Sequence, residues 1–456
     1  MHRRDFLRGG ATAATVIGVP LLIGSRSWGA EPDHGFATPS KTPERLAGMT
    51  LVQLRDDYQQ RLFGQYLPFW EKGGLDRQHG GFLCELNEDG SLASDEKFIW
   101  YQGRGIWVYS FLYNEFGKDR RWLDVARQGR DFLVQHMQAG GGKWYEKVRS
   151  DGTLLEGLGE NVYGWLFAAA GLAEYYRAVG HREDLDLAKT SLAAALRAYD
   201  DPGYTDTHTT QYTGLDLNPR GLRSQGHSMV TIALLSGLLT HHADAALESL
   251  QRRHVGLLLG KFWNPQYRIV NEYLRHDFSR APGAETHMLT GHAIETLWLL
   301  MADALRRQDR QTFETAAGRV RHFLEMCWDY VFDGLADGNF HVFGTKTQPR
   351  GPEYDVKTMW AHCEAMVACL MVFEHTGATW AREWYERLRA YTLKVMPVSG
   401  HGVWRQAVDR TGKDLKRVGV STKRKDNFHQ VRYLMLDLLC VKRMLARNAV
   451  PKGSHS

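Results

Sequence analysis

The sequence predicts an all-α protein, an (α/α)6 barrel of about twelve helices with short β-hairpins in the connecting loops. Two observations carry this. From Leu51 onward, segments with apolar residues at helical spacing alternate with Gly-rich breaks, and the breaks recur about every 60–70 residues. Six helix pairs close economically into a ring in which inner helices line a cavity and outer helices cover them. Closure explains how roughly 400 residues, 51–450, form one domain, because no pair is left with its apolar stripe at an end. An open superhelical stack is the alternative, but the terminal helices are not polar caps.

The helical segments run over 51–72, 103–117, 120–139, 161–179, 182–200, 226–242, 244–259, 288–307, 309–331, 357–377, 379–395 and 428–447. Between them, GGFLCELNEDGSL from Gly80, GGKWYEKVRSDGTL from Gly141, KFWNPQYRIVNEY from Lys261 and GHGVWRQAVDRTGKDL from Gly400 each predict a short hairpin. Three of the four place aromatic or β-branched residues around a DG or TG turn, the short-range hairpin signal. DGNFHVFG from Asp337 and the DPGYTDT region from Asp201 complete the period.

Composition excludes several classes. With 43% apolar and 24% charged residues the chain has ample core material, so disorder and a disulfide-stapled miniprotein are ruled out. The net charge of +5 falls to about +2 without residues 1–29, which hold four Arg and one Asp, and there is no basic stripe for nucleic acid. Cys84, Cys327, Cys363, Cys369 and Cys440 form no CxxC pair and read as small buried apolar residues.

Residues 1–30 have a basic start, an apolar stretch from Ala11 to Gly24 and small residues near Ser27, Gly29 and Ala30, the pattern of a signal peptide. Arg3 and Arg4 followed by Asp5, Phe6 and Leu7 resemble the twin-arginine signal that exports folded proteins, which predicts a periplasmic enzyme with no membrane association after processing. The apolar run is shorter than the roughly 20 residues of a membrane span, which disfavours an uncleaved anchor. Residues 31–50 read as a linker.

The chemistry lies in histidines and aromatics near helix starts. Arg104 stands where a hairpin gives way to an apolar helix, between Gly103 and Gly105, and the neighbouring Trp100, Tyr101, Gln102 and Trp107 suit a sugar. His292 and Glu295 are three apart on one face of an apolar helix, a proton-transfer pair in which the carboxylate would orient and strengthen the imidazole. No HExxH or other metal spacing accompanies them, so a zinc site is not expected. Trp360 and Glu364, four apart, supply an indole platform and a carboxylate, with His362 facing another side. His429, with Arg432 one turn on, heads the last helix, and His227 opens another. Helix starts on one rim of a barrel converge on one cavity.

From about Leu51 to the end, the chain resembles the N-acylglucosamine 2-epimerase superfamily. The likeness rests on K-x-x-W-x-x-G-R from Lys97 to Arg104, GHAIE from Gly291 to Glu295, W-x-x-x-E of Trp360 and Glu364, and the late pair Phe428 and His429. The resemblance implies the same barrel, no metal or nicotinamide, and two histidines matching His292 and His429 that exchange the C2 proton of a reducing mono- or disaccharide. It also implies an enediolate stabilised by the arginine matching Arg104, in a monomer or homodimer. One departure is visible: where relatives often carry M-H-x-x-E-A, this chain has Gly226-His227-Ser228-Met229-Val230, with an apolar residue in place of the carboxylate, so His227 is read as substrate-binding.

Two other classes fit the same barrel. A glycoside or unsaturated-glycan hydrolase needs two carboxylates across the scissile bond, for which Glu160, Glu295 and Glu364 are candidates. A non-catalytic periplasmic sugar-binding protein would keep the aromatics without a competent base.

Overall fold

The computed structural model describes residues 43–158, 162–205, 220–336, 356–415 and 423–449. The leader reading at 1–30, the hairpin expected from Asp337 and Glu160 lie outside them. Among the described residues no helix is long and apolar enough to cross a membrane.

Six inner helices alternate with outer ones in an (α/α)6 barrel. Helices α1 (Leu51–Arg61) and α2 (Leu67–Gly73), joined by a π-helical turn, form the first outer element, and α3 (Ile99–Glu115) follows as the first inner helix. The pattern continues with α4 (Arg120–Phe132) outside, α5 (Val162–Val179) inside and α6 (Arg182–Tyr199) outside. Next come α7 (Gln225–His241) inside and α8 (Ala245–Gly256) outside, then α9 (Thr290–Arg307) inside and α10 (Arg310–Cys327) outside. Helices α11 (Met359–Thr376) inside, α12 (Thr379–Val395) outside and α13 (His429–Ala449) inside complete the ring. Closure between the first and last inner helices is direct: Asn427 donates to the carbonyl of Tyr101 at 3.0 Å, and Trp107 packs edge-on against Phe428.

Inner and outer helices differ as their sequences require. Helix α5 buries Trp165, Leu166, Phe167, Ala168 and Ala169 in succession, because it is enclosed all round. Helix α4 buries only one stripe, Trp122, Ala126, Gly129 and Phe132. Each inner helix from α3 to α11 ends in a short connector, and several outer helices then start on a capping side chain. Asp119, Asp244 and Asp309 accept from the backbone N–H groups of Arg121, Ala246 and Thr312, and Thr50 forms a capping box with Gln53.

The hairpin segments close locally, as the sequence suggests, and short strands also join neighbouring units, which the sequence does not show. Lys97–Phe98 pairs with Lys147–Val148, Arg223–Ser224 with Tyr273–Leu274, and Val356–Thr358 with Ala407–Asp409. Trp263–Asn264 with Ile269–Val270 and the segments around Gly141 close on themselves as predicted, and so do the Gly80 segment, where Leu86 bridges to Leu92, and the Gly400 segment, where Val408 bridges to Asp414. A buried cation in three of these strands fixes the head of the inner helix that follows. Lys97 meets Asp76 at 2.7 Å, Arg223 meets Asp200 at 3.1 Å, and Lys357 meets Asp329 at 3.1 Å, each acid lying just past the preceding outer helix. All five cysteines are free and buried, as expected.

Candidate active site

The starts of the inner helices meet at one end of the barrel and bring most of the predicted residues together. Trp360, at the start of α11, packs against both principal histidines. Its indole is 5.3 Å, centre to centre, from the imidazole of His292 and 5.3 Å from that of His429. Gly291 makes this possible, since a Cβ there would stand 2.2 Å from the indole ring.

Each imidazole is held through Nδ1 by a buried carboxylate. His429 Nδ1 lies 2.7 Å from Glu364 Oε1, and Glu364 also accepts from Trp298 Nε1 at 2.7 Å. A carboxylate only accepts, so the proton sits on Nδ1 and Nε2 is left as the basic nitrogen. Burial pushes the His429 imidazole down to about 3, with Arg104 and Arg432 adding to the effect against Asp426 and Glu295. It is therefore neutral near pH 7, the state a general base needs. Its helix is started by Asp426, which accepts the backbone N–H of His429 at 2.6 Å.

His292 is bound differently from the sequence reading. Its Nδ1 lies 3.0 Å from Glu272 Oε1, and its Nε2 lies 3.4 Å from the hydroxyl of Tyr163. Burial raises the Glu272 carboxyl, yet His292 and His287 beside it hold it below the ordinary glutamate value. Glu295, expected as the partner of His292, turns instead to Arg432, whose guanidinium also lies 2.8 Å from Glu364. The correction has a simple cause. In the low-dielectric interior an uncompensated arginine is costly, and Arg432, 4% exposed, claims both carboxylates within reach. Glu295, Glu364 and His429 are close enough to cradle a cation, and Arg432 supplies the positive charge there.

Arg104 lies in the second turn of α3, which starts four residues earlier than predicted. Its guanidinium packs 4.2 Å from the Phe167 ring centre and 5.1 Å from that of Phe428, with Nη1 3.8 Å from Asp426. The flanking glycines serve packing and do not make room for Arg104: a Cβ on Gly103 would strike the α5 backbone, and one on Gly105 the ring of Phe82.

The remaining predicted residues divide. His227 is buried at the start of α7, edge-on to Tyr163 and Tyr199. Gln102 does not offer its amide to a ligand, because it donates to and accepts from the backbone of Phe82, both at 2.8 Å. Trp100 stacks on Phe98, and Tyr101, its phenol raised by burial, packs edge-on against the same ring. His362 faces away, as predicted, accepting from Leu335 N–H and donating to the Thr358 carbonyl. Sequence reasoning missed Glu272 and Tyr163. The only available signal for Glu272 was a lone acidic residue in an aromatic hairpin segment.

Comparison with known proteins bears on this arrangement. The model of the N-acylglucosamine 2-epimerase (GlcNAc 2-epimerase) family matches residues 80–431. N-acylglucosamine 2-epimerase of Mus musculus is 24% identical over 358 residues, covering 76% of this chain and 82% of that protein. Cellobiose 2-epimerase of Ruminococcus albus is 23% identical over 336 residues, covering 70% and 82%. The structure of cellobiose 2-epimerase from Spirochaeta thermophila superposes with a TM-score of 0.71 at 19% identity, covering 87% of this chain and 98% of that one, and shares the fold.

Proposed function

The chain belongs to the N-acylglucosamine 2-epimerase family, and from that premise we propose that it exchanges the C2 proton of a free reducing sugar through an enediolate, by two-histidine acid–base catalysis. The observation that carries the reading is the pair of imidazoles packed on Trp360, each with Nδ1 on a buried carboxylate.

A C2 proton has an intrinsic pKa far above 7, so its removal needs an open-chain sugar, a positioned base and positive charge at the developing oxygen. Neutral His429 is the base on one face of C2. His292, with Glu272 behind it, accepts or returns the proton on the other. Arg104, always charged and held between two aromatic rings, stabilises the enediolate. Each acid–base step contributes on the order of 10²–10⁴-fold, and an oriented cation at the oxygen a comparable factor. Return of the proton to C2 gives the epimer, and return to C1 gives the ketose. A glycoside hydrolase is the poorer reading, because Glu295 and Glu364 share one arginine instead of facing each other across open space. The twin-arginine leader supports a periplasmic location.

The test is NMR in D₂O with a panel of free reducing sugars and glycosides. Loss of the C2 proton signal with appearance of an epimer or ketose is expected for at least one free sugar, and His292→Asn or His429→Asn should abolish it with little change in melting. New reducing ends from glycosides without C2 exchange would overturn the proposal.

A further inference from the structure

Beneath the histidines the barrel is not filled. A cavity of about 980 Å³, counted with its open mouth, runs through the other half of the ring. Its roof is Glu295 and Arg432, one turn below His292 and His429, and its far end is Arg177 and His241 at the last turns of α5 and α7. His241 is fourteen residues beyond His227 on one helix, about 21 Å at the α-helical rise.

We propose that this cavity is a second ligand site, distinct from the sugar site, for a neutral and chiefly apolar molecule that carries a hydroxyl group. Three observations carry the proposal. First, α5, α7 and α9 present Ala170, Ala173, Ala233, Gly237 and Ala302 to the space, opposite Trp107, Phe167 and Trp298. Interiors are close-packed, and an apolar wall facing a void loses dispersion contacts that a ligand of matching surface restores.

Second, the arginines on the wall are already engaged, each by two carboxylates. Arg177 holds Glu174 at 3.0 Å and also pairs with Glu115, and Arg432 holds Glu295 and Glu364. An anion finds no free cation there, and a cation would be desolvated against a lining that is otherwise chiefly apolar, so the occupant is neutral.

Third, two lining residues carry buried polar atoms with no protein partner among the described residues, Arg432 Nε and His241 Nε2. Arg432 is 4% exposed. A buried donor left unmade is costly, and native structures almost always satisfy it. Arg432 Nε–H only donates, and the His241 ring nitrogen donates or accepts according to its tautomer. A hydroxyl oxygen satisfies either one while its apolar body covers the alanines.

The probe is 4-bromobenzyl alcohol with the full chain. Calorimetric titration should give saturable binding with Kd on the order of 1 mM or tighter, given the efficiency of ligands with few heavy atoms. A soaked crystal should show the bromine anomalous peak below Arg432. Ala233→Leu and Ala302→Leu, each tested for folding by circular dichroism, should weaken binding by about tenfold or more. His241→Leu, which leaves the alanine wall intact, should weaken it by about five- to tenfold. No saturable binding, a bromine peak beside His292 and His429, or affinity unchanged in every folded variant would each overturn the proposal. None of these readouts depends on sugar turnover.

Discussion

His292 and Glu272, twenty residues apart in the chain, meet at 3.0 Å across the joint between a strand end and a helix start. The strand Tyr273–Leu274 pairs with Arg223–Ser224, and the N–H of Gln225 donates to the Glu272 carbonyl at 2.9 Å. This lattice fixes the carboxylate beneath the imidazole, 1% exposed.

Glu272→Gln keeps the shape and removes the charge. The charged carboxylate favours the protonated form of its neighbour, so its removal should move the acid limb of the C2-exchange profile to lower pH, with kcat falling on the order of ten- to a hundredfold. Glu295→Gln should lower stability through Arg432 and leave that limb in place. The same limb position in Glu272→Gln and the wild type would remove Glu272 from the mechanism.

Arg104 is proposed to act on the transition state more than on the bound sugar. A group of that kind alters kcat as well as kcat/KM, whereas uniform binding alters KM alone. Arg104→Ala should lose about 10²-fold or more in kcat, and Arg104→Lys should recover little, because the planar fork that lies on Phe167 is gone. A raised KM with normal kcat in Arg104→Ala would make Arg104 a substrate clamp.

Acid should destabilise the fold. Burial holds His429 and His254 down to about 3, and His362 and His241 down to about 4. The unfolded chain binds these protons near the ordinary histidine value of about 6.5, so it is the more protonated state between there and about pH 4. Stability is therefore complete above about pH 6.5 and falls as pH drops through that window, which urea titrations at stepped pH will show. His362→Leu should cost about 1–3 kcal/mol at neutral pH, by orphaning Leu335 N–H, and should flatten the pH dependence. Catalytic rate should hardly change.

Export through the twin-arginine leader is proposed from Arg3 and Arg4. Arg3→Lys combined with Arg4→Lys should trap precursor in the cytoplasm. Unchanged periplasmic yield on fractionation would refute it.

By itself the sequence determined the number and order of the helices, which of them are enclosed, and which histidines open them. All of that follows from local causes: apolar spacing at 3.6 residues per turn, capping Asp residues after short connectors, and a hairpin-rich break in every period. His227, His292 and His429 were legible because a helix start is a local event, and the ring then carries every inner start to one end. Tertiary structure alone decided which carboxylate serves which imidazole. His292 and Glu295 share a helix face and look like a pair, yet Arg432, 137 residues further on, takes Glu295. Glu272 reaches His292 only because strands of neighbouring units pair. Charged side chains buried in a low dielectric seek the nearest opposite charge in space, and closure of the ring sets those distances, whatever the spacing along the chain.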